Sequence, residues 1–522
     1  MANIQQLKRL RPLGKLEQIS ATCHHLGFFN NVGLSAHYLL RTAAGAATTS
    51  ADLRSLIYTA VGAVVRRHQI LCAIPVNEDT PVPHFAALKT LDLKRSVKFL
   101  RRSKPGQSSE RRESEGSEDN ELDSILEEQH NTGFNSDGTL PFWRLIILED
   151  TQLPKTPSFT ASFIYHHAIG DGVSGLVFHR ELRSALDAAF AASRNTQAQG
   201  TGPKTTLMVD DEASILPPLE ALHPLPLPIP NPASADANST LTQPQAASQK
   251  EWTGGPIQTP CKSHWSSFTL SPATSHAFVA ECKARKRSVT AVLSSIVANA
   301  LFDALSEKNV DVLTCIIPLN LRPWLSIPRD EAEGAIGTYF DATRARLVRA
   351  HTSNASDPKP KPGTGPGTEG PAGWDRAEQV SSALGSYLAN TSPSGEPYTA
   401  IAAFLGIDDL GAVFQSLIGS PRDAAFEVTN VGLFEPASTP PPTTEEATTK
   451  SDSHWEISTV RLSRSAAVTG AAVTVSVATG GDGGLAIGFT WQEGVVEEDV
   501  VKRVKEGIRS CFGDTCENLV IR

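Results

Sequence analysis

The stretch 159–182, FTASFIYHHAIGDGVSGLVFHREL, constrains this chain more than any other. Phe159, Ala161, Phe163 and Tyr165 recur at every second position, as in a strand with one buried face. Phe178, Leu182, Ala185, Leu186 and Ala189 then recur on one face of a helix. Between the two periods lie His166, His167 and the run Gly170-Asp171-Gly172. A strand must therefore give way to a helix within a few residues, and the two glycines let the backbone turn there. Catalytic groups often sit where a strand ends, because a rigid element aims them into a cleft. Asp171 stands where a carboxylate either caps the helix or holds a neighbouring cation.

The same mixture of periods runs through the rest of the chain. Ser271-Pro272 opens a helix that ends near Lys286, with Ser as cap and Pro in the first turn. SVTAVLSSIVANALFDAL reads as a buried helix, and VLTCIIPL as a core strand. Val473, Val475 and Val477, then Leu485, Ile487, Phe489 and Trp491, alternate on either side of GGDGG, which predicts a hairpin. The fold class is therefore α/β (α+β), with sheet and helix in both halves.

Four tracts break this texture. Residues 101–121, 352–373 and 436–453 are charged or rich in Ser, Pro, Gly and Thr, and they read as inserted surface loops. Residues 196–250, with LHPLPLPIPNP, read as a linker. Such compositions bury too little apolar surface to offset chain entropy. The expected division is an N-terminal half at 1–195, the linker, and a C-terminal half at 251–522.

The chain has 522 residues, 40% of them hydrophobic, which is ample for a large core. Its net charge of −9 argues against nucleic-acid binding, which wants a basic footprint, but allows an anionic small ligand at a local basic patch. Seven cysteines, an odd number without a CxxC pair, argue against a disulfide framework and a structural zinc site. No apolar leader and no run of about 20 apolar residues is visible. A soluble, cytoplasmic protein is the expectation.

Three readings of His166-His167 compete on the residues alone. They are a satisfied core histidine, a metal site and a general base. Adjacent strand residues point to opposite faces, so the pair does not easily share one ion. His24-His25 repeats the pair without a downstream Asp-Gly and reads as structural. GGDGG at 480–484 lacks the Lys-Ser/Thr of a phosphate loop and reads as a hairpin tip.

HHAIGDG resembles the HHxxxDG signature of the CoA-dependent acyltransferase superfamily, which includes chloramphenicol acetyltransferase, the plant BAHD enzymes and peptide-synthetase condensation domains. RPLGKLEQIS and FFNNVGLSAHY are similar to the opening of the fungal alcohol acetyltransferase family. AVVRRHQILCAIP, FWRLIIL, PCKSHWSSFTLSP, KRSVTAVLSSIVANAL, IPLNLRPWL, FEVTNVGLFE and GLAIGFTWQEGVVEE resemble further segments in the right order. The resemblance covers nearly the whole chain outside the four tracts.

It implies two chloramphenicol-acetyltransferase-like halves with an active-site channel between them. It makes His167 the base, whose ordinary pKa of ~6.5 suits proton transfer near neutrality. His166 would be structural. Asp171 would orient the His turn by pairing with Arg322 of PLNLRPW, and Gly172 completes the motif. Thr429 and Asn430 of EVTNVG stand where related enzymes place a Ser-Asn segment, so either could donate to an oxyanion. A strand-end turn is the equal alternative. Lys283, Lys286 and Arg287, with Ser288 and Thr290 at the next helix start, form a candidate site for CoA phosphates. Their bland reading is a solvated helix end.

The implied reaction is acetyl transfer from acetyl-CoA, a co-substrate, to a small or medium hydrophobic alcohol, by a monomer with no bound cofactor or metal. The alternatives are N-acetylation of a hydrophobic amine, a non-catalytic relative and a condensation domain. The intact His167 and Asp171 count against the non-catalytic relative, and 522 residues leave no room for the carrier domains that accompany a condensation domain. Some yeast members of the family reach lipid surfaces through terminal amphipathic helices; the short N-terminus here offers no strong equivalent, and the resemblance leaves peripheral association with endoplasmic reticulum or lipid droplets as an expectation beside the cytoplasmic one.

Overall fold

The apolar alternations become two mixed sheets, seen in a computed structural model that describes residues 4–41, 52–103, 116–135, 137–150, 157–195, 203–210, 214–226, 249–349, 374–434 and 454–520. The first sheet contains β1 (Val32–Arg41), β2 (Val97–Arg101), β3 (Trp143–Glu149) and β4 (Ser158–Tyr165). The second contains β5 (Ser263–Thr269), β6 (Val312–Asn320), β7 (Phe340–Val348) and β8 (Phe426–Leu433). One more strand, β9 (His454–Arg464), lies in the first sheet, and β10 (Val473–Thr479) and β11 (Leu485–Gln492) lie in the second. The strand orders are β9-β1-β4-β3-β2 and β5-β11-β10-β8-β6-β7. The expected hairpin is β10 with β11, running antiparallel from Val473↔Trp491 to Thr479↔Leu485.

The β9 placement is a finding that chain order did not foretell. It pairs antiparallel with β1 from Arg464↔Val32 to His454↔Arg41, so a strand from the expected C-terminal half completes the N-terminal sheet. Periodicity identifies a strand but not its partner, because any edge offers the same backbone hydrogen bonds.

β4 differs from its expected half-buried pattern. All eight of its residues are buried, because β4 is interior to its sheet and both faces are covered. Its small polar residues satisfy one another across strands, as where Ser35 Oγ donates to Ser162 Oγ at 2.8 Å.

Helices cover the outer faces. Helices α1 (Lys15–His25), α2 (Leu53–Arg67), α3 (Asn120–His130) and α4 (Gly172–Asn195) belong to the first half. Helix α5 (Pro272–Ala284) begins at the expected Ser271 cap, which accepts from Thr274 N at 3.1 Å. Helix α6 (Val289–Ala304) is the predicted buried one, and α7 (Ala377–Ala389) and α8 (Glu498–Val520) pack against it. Helix α3 crosses to the second sheet, where the buried Asp123 accepts from Trp265 Nε1 at 2.9 Å and from Ser267 N and Oγ at 2.7 Å.

Two of the four tracts hold more structure than their composition suggests. In 101–121, the Arg102 side chain is only 2% exposed and donates to both oxygens of Asp119 at 2.9 and 2.8 Å and to Asp150 at 2.8 Å. Charges that read as solvated are here paired with each other. Residues 104–115 of that tract lie outside the described ones. In 196–250, Thr206–Met208 pairs with Thr90–Asp92, and Leu219, Leu222 and Leu225 are buried with Leu16 and Leu321. Isolated leucines between prolines anchor that run. The remainder of 196–250 apart from 203–210, 214–226 and 249–250, and all of 352–373 and 436–453, lie outside the described residues. No described helix is long and apolar enough to cross a membrane.

Candidate active site

β4 ends at Tyr165, and the chain turns through His166–Asp171 before α4 begins. Asp171 caps α4, its Oδ1 accepting from Ser174 N at 3.0 Å. It also binds a cation, so the two roles open in the sequence are both filled. Arg322 Nη1 donates to Asp171 Oδ2 at 2.7 Å and Nη2 to Oδ1 at 3.0 Å. The Arg322 side chain is 0% exposed and that of Asp171 5%. Tyr339 N adds a bond to the same carboxylate at 3.0 Å, and Ser174 Oγ, also 3.0 Å from it, shares its one hydrogen between this carboxylate and Gly337 O.

The two turn glycines serve closeness rather than an unusual backbone angle. Neither has a positive φ. A Cβ on Gly172 would lie 2.6 Å from Val431 Cγ1 of β8, and one on Gly170 would lie 2.9 Å from Ser174 Cβ. The turn is pinned to the second half at three more points. Asp171 N donates to Gly337 O at 3.1 Å, Ser174 Oγ to Gly337 O at 2.8 Å, and Thr338 Oγ1 to His167 O at 2.9 Å.

His167 is half-buried beside two phenylalanines. Its ring lies 5.6 Å from that of Phe29 and stacks on Phe340 at 5.2 Å. Its Nδ1 is 2.9 Å from Gly170 O. A carbonyl can only accept, so Nδ1 carries the hydrogen and Nε2 keeps its lone pair. Burial, then the cation of Arg464, holds His167 below its ordinary value, while Asp171 opposes them. His167 is therefore neutral at physiological pH.

His166 faces the other way, into a buried group with His24 and Glu78. Ala168 N donates to His166 Nδ1 at 3.0 Å, and Phe134 N to His24 Nε2 at 3.0 Å. The remaining ring nitrogens point at Glu78, His24 Nδ1 at 3.2 Å from Oε2 and His166 Nε2 at 3.4 Å from Oε1. The spacing alone would suit a metal ion, since these atoms lie within 4.8 Å of one another. The donor chemistry does not suit one. A metal-bound imidazole donates its other N–H outward. Here both outer nitrogens accept backbone N–H groups, so the ring hydrogens sit on the nitrogens facing Glu78. Despite burial, the His166 and His24 contacts hold Glu78 at about 2, and burial pushes His166 down to about 4. Near neutrality the carboxylate is charged and His166 is not. Glu78→Gln should cost about 1.5–3 kcal/mol in urea unfolding, and added Zn²⁺ should not raise the melting temperature of the parent.

The other expected residues divide. Thr429 gives its hydroxyl hydrogen to Glu427, which also receives Arg464 Nη1 at 2.6 Å. Asn430 Nδ2 donates to Thr290 Oγ1 at 3.2 Å, joining β8 to the start of α6, and its Oδ1 accepts from Gly432 N at 2.9 Å. Ser288 caps α6, accepting from Ala291 N at 3.1 Å. Arg287 is ion-paired with Glu378. Lys283 and Lys286 are exposed, with no ion-pair partner among the described residues. Sequence reasoning missed Phe29, Phe340, Glu78, Glu427, Arg464, Ser174 and the 337–339 segment. Only Ser174, three residues after Asp171, carried a local signal, the spacing of a cap and its N–H donor.

Residues 110–342 match the model of the alcohol acetyltransferase family. A probable alcohol acetyltransferase, crmB, of Aspergillus fumigatus is 52% identical over 96% of this chain and 98% of its own. A probable alcohol acetyltransferase, FCK4, of Fusarium pseudograminearum is 22% identical over 96% and 94%. Among solved structures, the trichothecene 15-O-acetyltransferase TRI3 of Fusarium sporotrichioides shares the fold, with a TM-score of 0.64, 12% identity and 97% of both chains covered. The first condensation domain of the CDA synthetase is also similar, at a TM-score of 0.55, 13% identity and 97% of both chains. The expected acyltransferase fold is thus present, and the chain, an acyltransferase, belongs to the alcohol acetyltransferase family.

Proposed function

We propose that this enzyme transfers an acetyl group from acetyl-CoA to the hydroxyl of a small or medium hydrophobic alcohol, with His167 as general base. The observation that carries the reading is the tautomer of His167. Gly170 takes the Nδ1 hydrogen and leaves the Nε2 lone pair, between aromatic walls, to accept a proton. The family description and the relatives' names support acetyl as the group and an alcohol as the acceptor.

In this reading Nε2 takes the hydroxyl proton as the alcohol oxygen attacks the thioester carbonyl. A C–O bond forms, the C–S bond breaks, and the imidazolium returns the proton to the leaving sulfur. No side chain is acylated. The carbonyl oxygen gathers charge on the way and needs a donor. Thr429 has committed its hydrogen to Glu427, whereas Asn430 keeps a second amide hydrogen beyond the one given to Thr290. Asn430 is the proposed donor.

The test is an acceptor screen. The purified protein is mixed with acetyl-CoA and panels of alcohols and amines, free thiol is followed, and products are weighed by mass spectrometry. Esters support the reading. Amides alone would favour the amine alternative, and no thiol release with any acceptor would leave a non-catalytic relative. Of the basic cluster, Lys283 and Lys286 are proposed to meet the phosphates. Replacing both with alanine should raise KM for acetyl-CoA roughly 3–10-fold with kcat unchanged, and the difference should shrink in high salt.

A further inference from the structure

Behind the Phe29 ring lies a cation that the reaction as drawn does not use. The Arg464 guanidinium sits over that ring at 4.8 Å, on a phenylalanine whose ring is 5.6 Å from His167. Arg464 ends β9 in the first sheet, and its partner Glu427 is on β8 in the second. Their ion pair bridges the sheets beside the His turn. It is largely buried, with side-chain exposures of 15% and 9%. Arg464 Nε is buried without a hydrogen-bond partner among the described residues, so the guanidinium is not fully hydrogen-bonded.

We propose that Arg464 is a positioning residue for His167, a cation held behind Phe29 that keeps the imidazole in its proton-accepting form, with Glu427 setting how much of that charge is felt. The proposal rests on the reading of His167 as base. Among the described residues, the charged groups around His167 leave this role to Arg464. Asp171 opposes it, its charge shared with Arg322 as that of Arg464 is with Glu427. Glu78 belongs to the separate group around His166. The flanking Phe29 and Phe340 are uncharged. Burial and Arg464 act on His167 in the same direction, disfavouring the imidazolium. A unit charge about 10 Å away at an effective dielectric of ~20 moves a pKa by up to about one unit.

The experiment compares the parent, Arg464→Gln, Arg464→Lys and Glu427→Gln in two measurements. One is the pH profile of kcat/KM. The other is the NMR titration of the His167 imidazole, assigned with His167→Ala. In Arg464→Gln both the acidic limb and the imidazole pKa should rise, by up to about one pH unit. Arg464→Lys should restore the parent values. Glu427→Gln should shift both the opposite way, because it removes the counter-charge. Unchanged imidazole pKa values in Arg464→Gln and Glu427→Gln would overturn the proposal and leave Arg464 a purely structural tie. An imidazole that shifts while the kcat/KM limb stays fixed would instead overturn His167 as the base, and the positioning role with it.

Discussion

His167→Ala should lower acetyl transfer by roughly 10²–10⁴-fold, the usual worth of a positioned general base. The variant should keep its fold, because among the described residues His167 uses one side-chain hydrogen bond, to Gly170 O, and two ring contacts. Its loss should fall on kcat more than on KM for acetyl-CoA, since no phosphate contact is touched. His166→Ala makes the contrast. That side chain is 1% exposed and turned towards Glu78, so its removal should cost stability and reduce turnover far less. Steady-state kinetics with matched unfolding curves separates the two. If His167→Ala keeps near-parental turnover, the base lies elsewhere.

Breaking the Asp171–Arg322 pair should have the largest effect on stability. Asp171→Asn strands a guanidinium with 0% side-chain exposure, and Arg322→Gln strands a carboxylate with 5%. Each should cost about 3–5 kcal/mol, the penalty of an uncompensated buried charge. The double variant should lose less than the sum, because neither partner is then left alone. Denaturant unfolding of all four proteins measures this, and strict additivity would sink the coupling. Acid supplies an independent check. Burial by itself would raise the Asp171 pKa, but the charge and hydrogen bonds of Arg322 hold it below the ordinary carboxylate range. A group depressed on folding contributes fully above its unfolded value of ~3.9 and loses that contribution as pH falls through its folded one. The coupling should therefore be intact at pH 5–8 and shrink only below about pH 4. Both single variants should also lose activity, since the Asp171 turn carries His167.

The local parts of this arrangement were legible in the residues. The strand, the tight turn and the helix around His167 follow from periodicity and two glycines. The Asp171–Arg322 partnership came from a family resemblance and not from spacing, since the two lie 151 positions apart. The reason for Gly172 was not legible, because its close neighbour Val431 belongs to another sheet. Glu78, Arg464 and Phe29 were missed on the same ground. Each is ordinary in its own segment and gains meaning only from what the tertiary fold sets beside it. The 101–121 tract failed differently. Its composition is that of a solvated loop, and nothing local says that Arg102 finds two buried carboxylates.

The late arrival of β9 bears on how the chain can be made. Arg41 and Glu456, 415 positions apart, meet at the far end of the β1–β9 ladder. At ~5–20 residues per second, β1 waits roughly 20–80 s on the ribosome for its outer neighbour. Through that interval the first sheet presents a bare edge, an invitation to pair with another nascent chain. A holdase that covers that edge should raise the yield of soluble enzyme. A stop codon just before residue 454 should yield insoluble protein, although it spares the whole histidine motif.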